Sequence, residues 1–161
     1  MLAYGHAIRG AISIGWGAKI LDDEILGAGI VKSHELEKRR ARYPRIIVDD
    51  EVVLLISQAL ELRKIDLHSK LSRHIAQLCQ KMIYDDCDGE HVVDFWSSYA
   101  LKHAPKESLE QLNTNASLFV RSSLTEAMSK RDLSLIMKYS WLMHYILVRS
   151  GADQKAVGGA E

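Results

Sequence analysis

Three short apolar runs punctuated by glycine constrain the fold of this chain more than anything else in it. Ile8-Arg9-Gly10-Ala11-Ile12-Ser13-Ile14-Gly15 comes first. Ile25-Leu26-Gly27-Ala28-Gly29-Ile30-Val31 follows, and then Tyr43-Pro44-Arg45-Ile46-Ile47-Val48. They read as strand, glycine turn, glycine-opened helix and strand. Residues 6–14 alternate loosely and end in β-favouring Ile-Ser-Ile, the pattern of a buried strand. Gly15-Trp16-Gly17 is a turn, since glycine accepts backbone angles other residues resist. Residues 19–21 are expected as a short return strand closing a hairpin, with Asp22-Asp23-Glu24 as an acidic corner. The helix opened at Gly27 runs to about Ala41. Its apolar periodicity is poor, and helix formers from Glu35 to Arg40 support it instead. Pro44 ends it, because the residue before proline is pushed out of the helical region.

Further elements follow from period and punctuation. Residues 45–48 form a strand. Asp49 or Asp50 caps a helix to about Leu62, with Val52, Val53, Ile56, Ala59 and Leu60 along one face. Residues 67–78 form a short helix. Asp88-Gly89 between two apolar runs is a hairpin signal. A calcium loop is excluded there: with Gly89 at the turn, Tyr84 and Phe95 would occupy ligand positions. Two helices close the chain. Residues 107–128 place Leu109, Leu112, Ala116, Phe119, Val120, Leu124 and Ala127 on one side. Residues 133–148 place Leu133, Ile136, Met137, Trp141, Tyr145 and Val148 on one side, with Leu135, Leu142 and Leu147 on another. Asp132 caps the second helix, and Trp141 is its expected packing anchor. The tail, 151–161, is small and polar and expected to be disordered.

Composition narrows the class. The 161 residues are 47% hydrophobic and 26% charged with no net charge, which describes an ordinary globular chain without a global field for nucleic acid or acidic membrane. Cys79 and Cys87 make no disulfide framework, so a reducing cytoplasm is the expected compartment. No secretory signal opens the chain, and no apolar run approaches the roughly 18 residues that span a bilayer. The seven histidines lack metal-ligand spacing.

The glycine-punctuated runs resemble the second half of a class III nucleotidyl cyclase domain. In that family a strand ends in a glycine, a β-arm follows, and the chain starts a helix through a second glycine. Gly15 and Gly27 match the two glycines. Glu24, three before the second, stands where purine cyclases read the base, and its carboxylate is an acceptor for an exocyclic amino group. The family's helix carries an asparagine and a phosphate-stabilising arginine where this chain has Val31 and Glu35. A divergent prokaryotic branch, which includes pyrimidine nucleotide cyclases of antiphage defence, is more similar. Its motifs match Arg9 to Gly15, then Gly27 with Glu35-Leu36-Glu37, then Ala41 to Ile46. Asp88-Gly89, Val93-Asp94-Phe95 and Lys138-Tyr139-Ser140-Trp141-Leu142 extend the match nearly to the chain's end.

The resemblance implies an α/β (α+β) fold. Residues 1–65 would be the C-terminal half of a cyclase-like domain, 66–150 an extension ending in a helical hairpin, and 151–161 a tail. It implies a nucleoside triphosphate partner, cyclised to a 3′,5′-cyclic nucleotide second messenger by the complete domain with magnesium or manganese. The metal-binding aspartates of that domain would lie before Met1. The expected nucleotide-binding residues are Arg9, Glu24 and Gly27; no catalytic residue and no metal ligand is assigned in this chain. It is expected to be inactive alone, to form a homo-oligomer or join a full-length cyclase, and to bind neither membrane nor nucleic acid. The alternative is a non-catalytic, degenerate cyclase acting as a nucleotide-binding or protein-interaction module. Each residue also has a plainer role. Arg9 is either a phosphate ligand or a paired structural arginine. Glu24 is either a base reader or a solvated turn residue. The basic cluster Lys38, Arg39, Arg40, Arg42 and Arg45 either touches phosphates or sits at a helix C-terminus with its heads in water, the latter being favoured.

Overall fold

The computed structural model describes residues 5–21, 24–61, 67–101 and 106–157. The chain divides into two compact units, Arg9–Asp94 and Met1–Ile8 with Phe95–Glu161.

The Arg9–Asp94 unit is built on a small mixed sheet. Strand β1 (Gly10–Ile12) is followed by an antiparallel ribbon of β2 (Gly17–Leu21) and β3 (Glu24–Gly27). Helix α1 (Ala28–Arg39) then returns the chain to β4 (Ile46–Val48), which lies parallel to β1 in the register Gly10 with Ile46 and Ile12 with Val48. Parallel neighbours need a crossover of this length. The expected hairpin partner of residues 19–21 is therefore corrected: they pair with β3, not with β1. The reason is geometric, since β1 is turned toward β4 and the glycines at 15 and 17 redirect the chain away from it.

Helices α2 (Asp50–Glu61) and α3 (Leu67–Gln80) come next, then the hairpin of β5 (Ile83–Asp85) and β6 (His91–Val93). The sheet order is β1-β4-β6-β5, which leaves β1 at one edge. The hairpin turns through Gly89 at φ 82°, the left-handed region that favours glycine, and the Gly89 N–H donates to the Asp86 carbonyl. Ile47 and Val92 on the central strands bury fully with Ala41, and Ala11 and Tyr84 pack against them. On α2, the expected face of Val52, Val53, Ile56, Ala59 and Leu60 is the covered one, while Leu54 and Leu55 are exposed. The division expected near residue 65 falls instead between Asp94 and Phe95, because β6 pairs with β4 and carries the hairpin into the sheet.

The second unit holds α4 (Ser98–Leu101), α5 (Lys106–Ser129) and α6 (Leu133–Val157). Helices α5 and α6 form the expected helical hairpin. Asp132 caps α6, its carboxylate accepting the Leu135 N–H at 3.1 Å. The apolar face expected on α5 is the covered one, with Ala116, Val120 and Ala127 fully buried. Leu142, Tyr145 and Ile146 of α6 are buried too. Trp96 is 8% exposed; its backbone N–H donates to the Tyr145 hydroxyl and its indole N–H to Asn113 Oδ1 at 2.6 Å. The expected anchor, Trp141, is only half-buried, stacked on Tyr145 with ring centroids 5.5 Å apart. Helix α6 continues to Val157, past Ser150 and into the segment expected to be disordered. Ala152, Gln154, Lys155 and Ala156 are residues that extend a helix already begun.

Candidate functional site

The site begins where two stretches of backbone touch. A side-chain carbon on Gly15 would sit 2.5 Å from the Gly29 amide nitrogen, and one on Gly27 would sit 2.2 Å from the Trp16 carbonyl oxygen. Only glycine permits that approach. The turn after β1 is thereby pressed against the first turn of α1. Beside the crossing lies a cleft of about 470 Å³, lined by Ser13 and Ile14 from the end of β1, Trp16, Ile25 from the ribbon, and Ile30 and Ser33 from α1. Its walls mix the apolar side chains of Ile14, Trp16, Ile25 and Ile30 with the two hydroxyls and the glycine backbone. Trp16 stands on its rim with 74% of its surface exposed.

A buried carboxylate anchors the same end of the sheet. Asp49 follows β4 and is buried. It accepts the Ser13 hydroxyl at 2.7 Å and the Lys32 ammonium at 2.7 Å. Lys32 also reaches Glu51 at 2.8 Å. Burial alone pushes the Asp49 carboxyl up, but Lys32 and Ser13 outweigh it and hold the group below its ordinary value. The Asp49 carboxylate, and then Glu51, hold the Lys32 ammonium above its own. The cluster ties β1, β4 and α1 together at the cleft and fixes the Ser13 side chain. The sequence offered a signal for Asp49 only as a helix cap. Its pairing with Ser13 and Lys32 depends on the parallel alignment of β1 and β4, which no local pattern reveals.

The expected binding residues separate. Gly27 is buried beside the cleft, at the crossing. Arg9 is not in the cleft: it precedes β1 at the opposite end from Ser13, and its guanidinium pairs with Glu37 of α1 at 2.8 Å, half-exposed. Glu24 starts β3 opposite Leu21, while Gly27 ends β3 opposite Gly17. Its backbone is therefore roughly 10 Å from the crossing along the strand; its side chain lies outside the description. Val31 and Glu35, four residues apart, share an exposed face of α1.

Part of the basic cluster is not solvated as expected. Arg45 is 1% exposed; its guanidinium holds Asp86, and reaches Asp88 at 2.6 Å, across the β5–β6 turn. Burial opposes its charge, and Asp88 and Asp86 more than restore it; Arg45 in turn holds the Asp88 carboxyl below its usual range. Arg40 pairs with Glu90 at 2.6 Å and with Asp50. These two arginines fasten the hairpin to the loop before β4. Asp86 and Asp88, set aside as calcium ligands, are the acids this network needs.

Among the described residues no group of three or more His, Cys, Asp or Glu side chains is arranged to hold a metal ion. Asp49 and Glu51, the carboxylates near the cleft, both hold Lys32. No step through a metal is assigned to these residues. Among the described residues no helix is long and apolar enough to cross a membrane. Comparison of the chain with family models, with curated proteins and with solved structures finds no match.

Proposed function

We propose that this chain is a cyclase-like nucleotide-binding half-domain that offers the base and ribose side of a composite site. One observation carries this reading: the glycine crossing of β1 and α1, with a cleft of isoleucines and two serines rimmed by Trp16 beside it. A planar base suits such walls, because an aromatic face stacks on any base at about 1–3 kcal/mol. The Ser13 and Ser33 hydroxyls, whose protons go to Asp49 and the Ile30 carbonyl, keep lone pairs that can accept from a sugar hydroxyl. Lys32, next to the cleft-lining Ser33, does not suit a bare triphosphate, because two carboxylates already neutralise it. Phosphate and metal contacts would then come from a complementary chain, either another copy or a complete cyclase. An apolar surface on the same unit supports that partnership. Ile14, Trp16, Ile25, Leu26, Ile30 and Val31 are all exposed, and patches of this kind mark interaction sites. The free thiols of Cys79 and Cys87 are compatible with a reducing cytoplasm.

The purified chain is expected to bind nucleoside triphosphates without turning them over. Incubation of each common triphosphate with manganese, followed by mass spectrometry, should reveal no 3′,5′-cyclic product. Metal-dependent formation of that product would make the chain an enzyme in its own right. Equilibrium dialysis should detect binding that Trp16→Ser weakens about tenfold or more. Binding unchanged by that substitution would move the site elsewhere.

The second reading is a non-catalytic interaction module. The reversal of charge at Glu35 and the exposed Val31 favour it, since the outward face of α1 then serves contact rather than phosphate. Absence of nucleotide binding together with retained self-association would select it.

A further inference from the structure

Helix α6 is apolar on two sides, and only one is covered. Leu142, Tyr145 and Ile146 are buried. The exposed residues from Leu133 to Val148 are Leu133, Ser134, Met137, Ser140, His144, Leu147 and Val148. None of them is Asp, Glu, Lys or Arg. A helix face that meets only water usually carries such charges over four turns. This one instead repeats at steps of 4, 3, 4 and 3 through Leu133, Met137, Ser140, His144 and Leu147, the spacing of a coiled-coil seam.

We infer that this face pairs with the same face of a second copy, antiparallel about a two-fold axis near Leu142. Antiparallel seams set one heptad position against the other. Here that places Met137 against Leu147 of the second copy and Ser140 against His144. Apolar then meets apolar and the hydroxyl meets the imidazole, so the stripe is complementary to itself, as a two-fold contact requires. A parallel pairing would instead oppose His144 to His144 and Ser140 to Ser140, leaving two imidazoles face to face. The polar layer fixes register in the way a single buried polar pair does in coiled coils. Two α5–α6 hairpins joined this way make a four-helix bundle. In this register the seam is Met137, Ser140, His144 and Leu147, a smaller area than the about 800 Å² per partner of a standard stable interface. That supports a reversible dimer with no charged group to repel the approach. The inference does not depend on nucleotide binding.

Sedimentation velocity of the full chain should give twice the chain mass at tens of micromolar. Met137→Glu with Leu147→Glu places charge in the seam and should weaken association at least tenfold. Leu118→Glu, exposed on α5 away from the covered face, should leave it intact. Circular dichroism should be unchanged in both, since the substitutions are exposed. Orientation is read by disulfide trapping in a background lacking Cys79 and Cys87. Mixing Ser140→Cys chains with His144→Cys chains should give the mixed cross-link in excess of either homotypic one. A monomer at these concentrations, a dimer indifferent to the charged pair, or dominant Ser140→Cys homotypic links would each overturn the inference.

Discussion

Gly15 and Gly27 are where a single carbon decides the site. An added methyl meets backbone in both cases, at 2.5 Å and 2.2 Å, and backbone cannot rotate aside as a side chain does. Gly15→Ala or Gly27→Ala should therefore destabilise the Arg9–Asp94 unit by about 1–3 kcal/mol or more. At Gly89 nothing lies within 4 Å, and only its positive φ resists substitution. Gly89→Asn should cost much less, because asparagine tolerates that region. Urea unfolding of the three variants checks this order; equal midpoints would mean the crossing is looser than described. Charge at the residue scale makes a second prediction. Asp49 and Asp88 both have folded values below the ordinary 3.8. A carboxyl with a depressed folded value lends stability above its unfolded value and loses it as pH falls through the folded one. Thermal midpoints should thus drop below about pH 4. Lys32→Met should flatten the part owed to Asp49. Arg45→Met removes the partner of a buried carboxylate, and should cost about 3–5 kcal/mol near neutral pH. An unchanged acid limb in both variants would remove these pairs from the explanation of acid sensitivity.

Elements were legible where the cause was local. Asp88-Gly89 announced the β5–β6 hairpin because the turn needs a residue at positive φ. Asp132 announced the start of α6 because a free helix N–H needs an acceptor. The covered faces of α2 and α5 followed from periodicity. Features set by distant partners were not legible. The sequence did not suggest that Arg45 would be buried, since that depends on Asp86 and Asp88, 41 and 43 residues further along the chain. Helix α6 shows the limit of periodicity most clearly. Both of its sides are apolar, so pattern alone could not choose between Trp141 and Leu142, and α5 covers the Leu142 side. Leu142→Ala should accordingly cost about 2–5 kcal/mol, and Trp141→Ala clearly less, since Trp141 is half-buried. Denaturant midpoints of the two variants, beside Lys130→Ala as an exposed control, measure the difference. A larger loss at Trp141 would restore it as the anchor.

At the scale of the molecule, the chain joins a sheet with an edge at β1 to a helical hairpin with an uncharged face. The α+β class was legible from the alternation of short strands and helices. The candidate site was legible only in its glycines: Gly27 lies at the crossing, whereas Arg9 is occupied by Glu37. Ser13, Asp49 and Lys32 emerge from the parallel pairing of β1 with β4. The glycine crossing either forms a nucleotide cleft or merely packs a strand against a helix, and amide spectra of the labelled full chain distinguish the two. Titration with cytidine, uridine, adenosine and guanosine triphosphates should progressively shift the Gly15, Gly29 and Ser33 amides and the Trp16 indole. The Trp96 and Trp141 indoles should stay in place. Still spectra at millimolar concentrations of all four nucleotides, or shifts confined to α5 and α6, would show that the crossing serves packing alone.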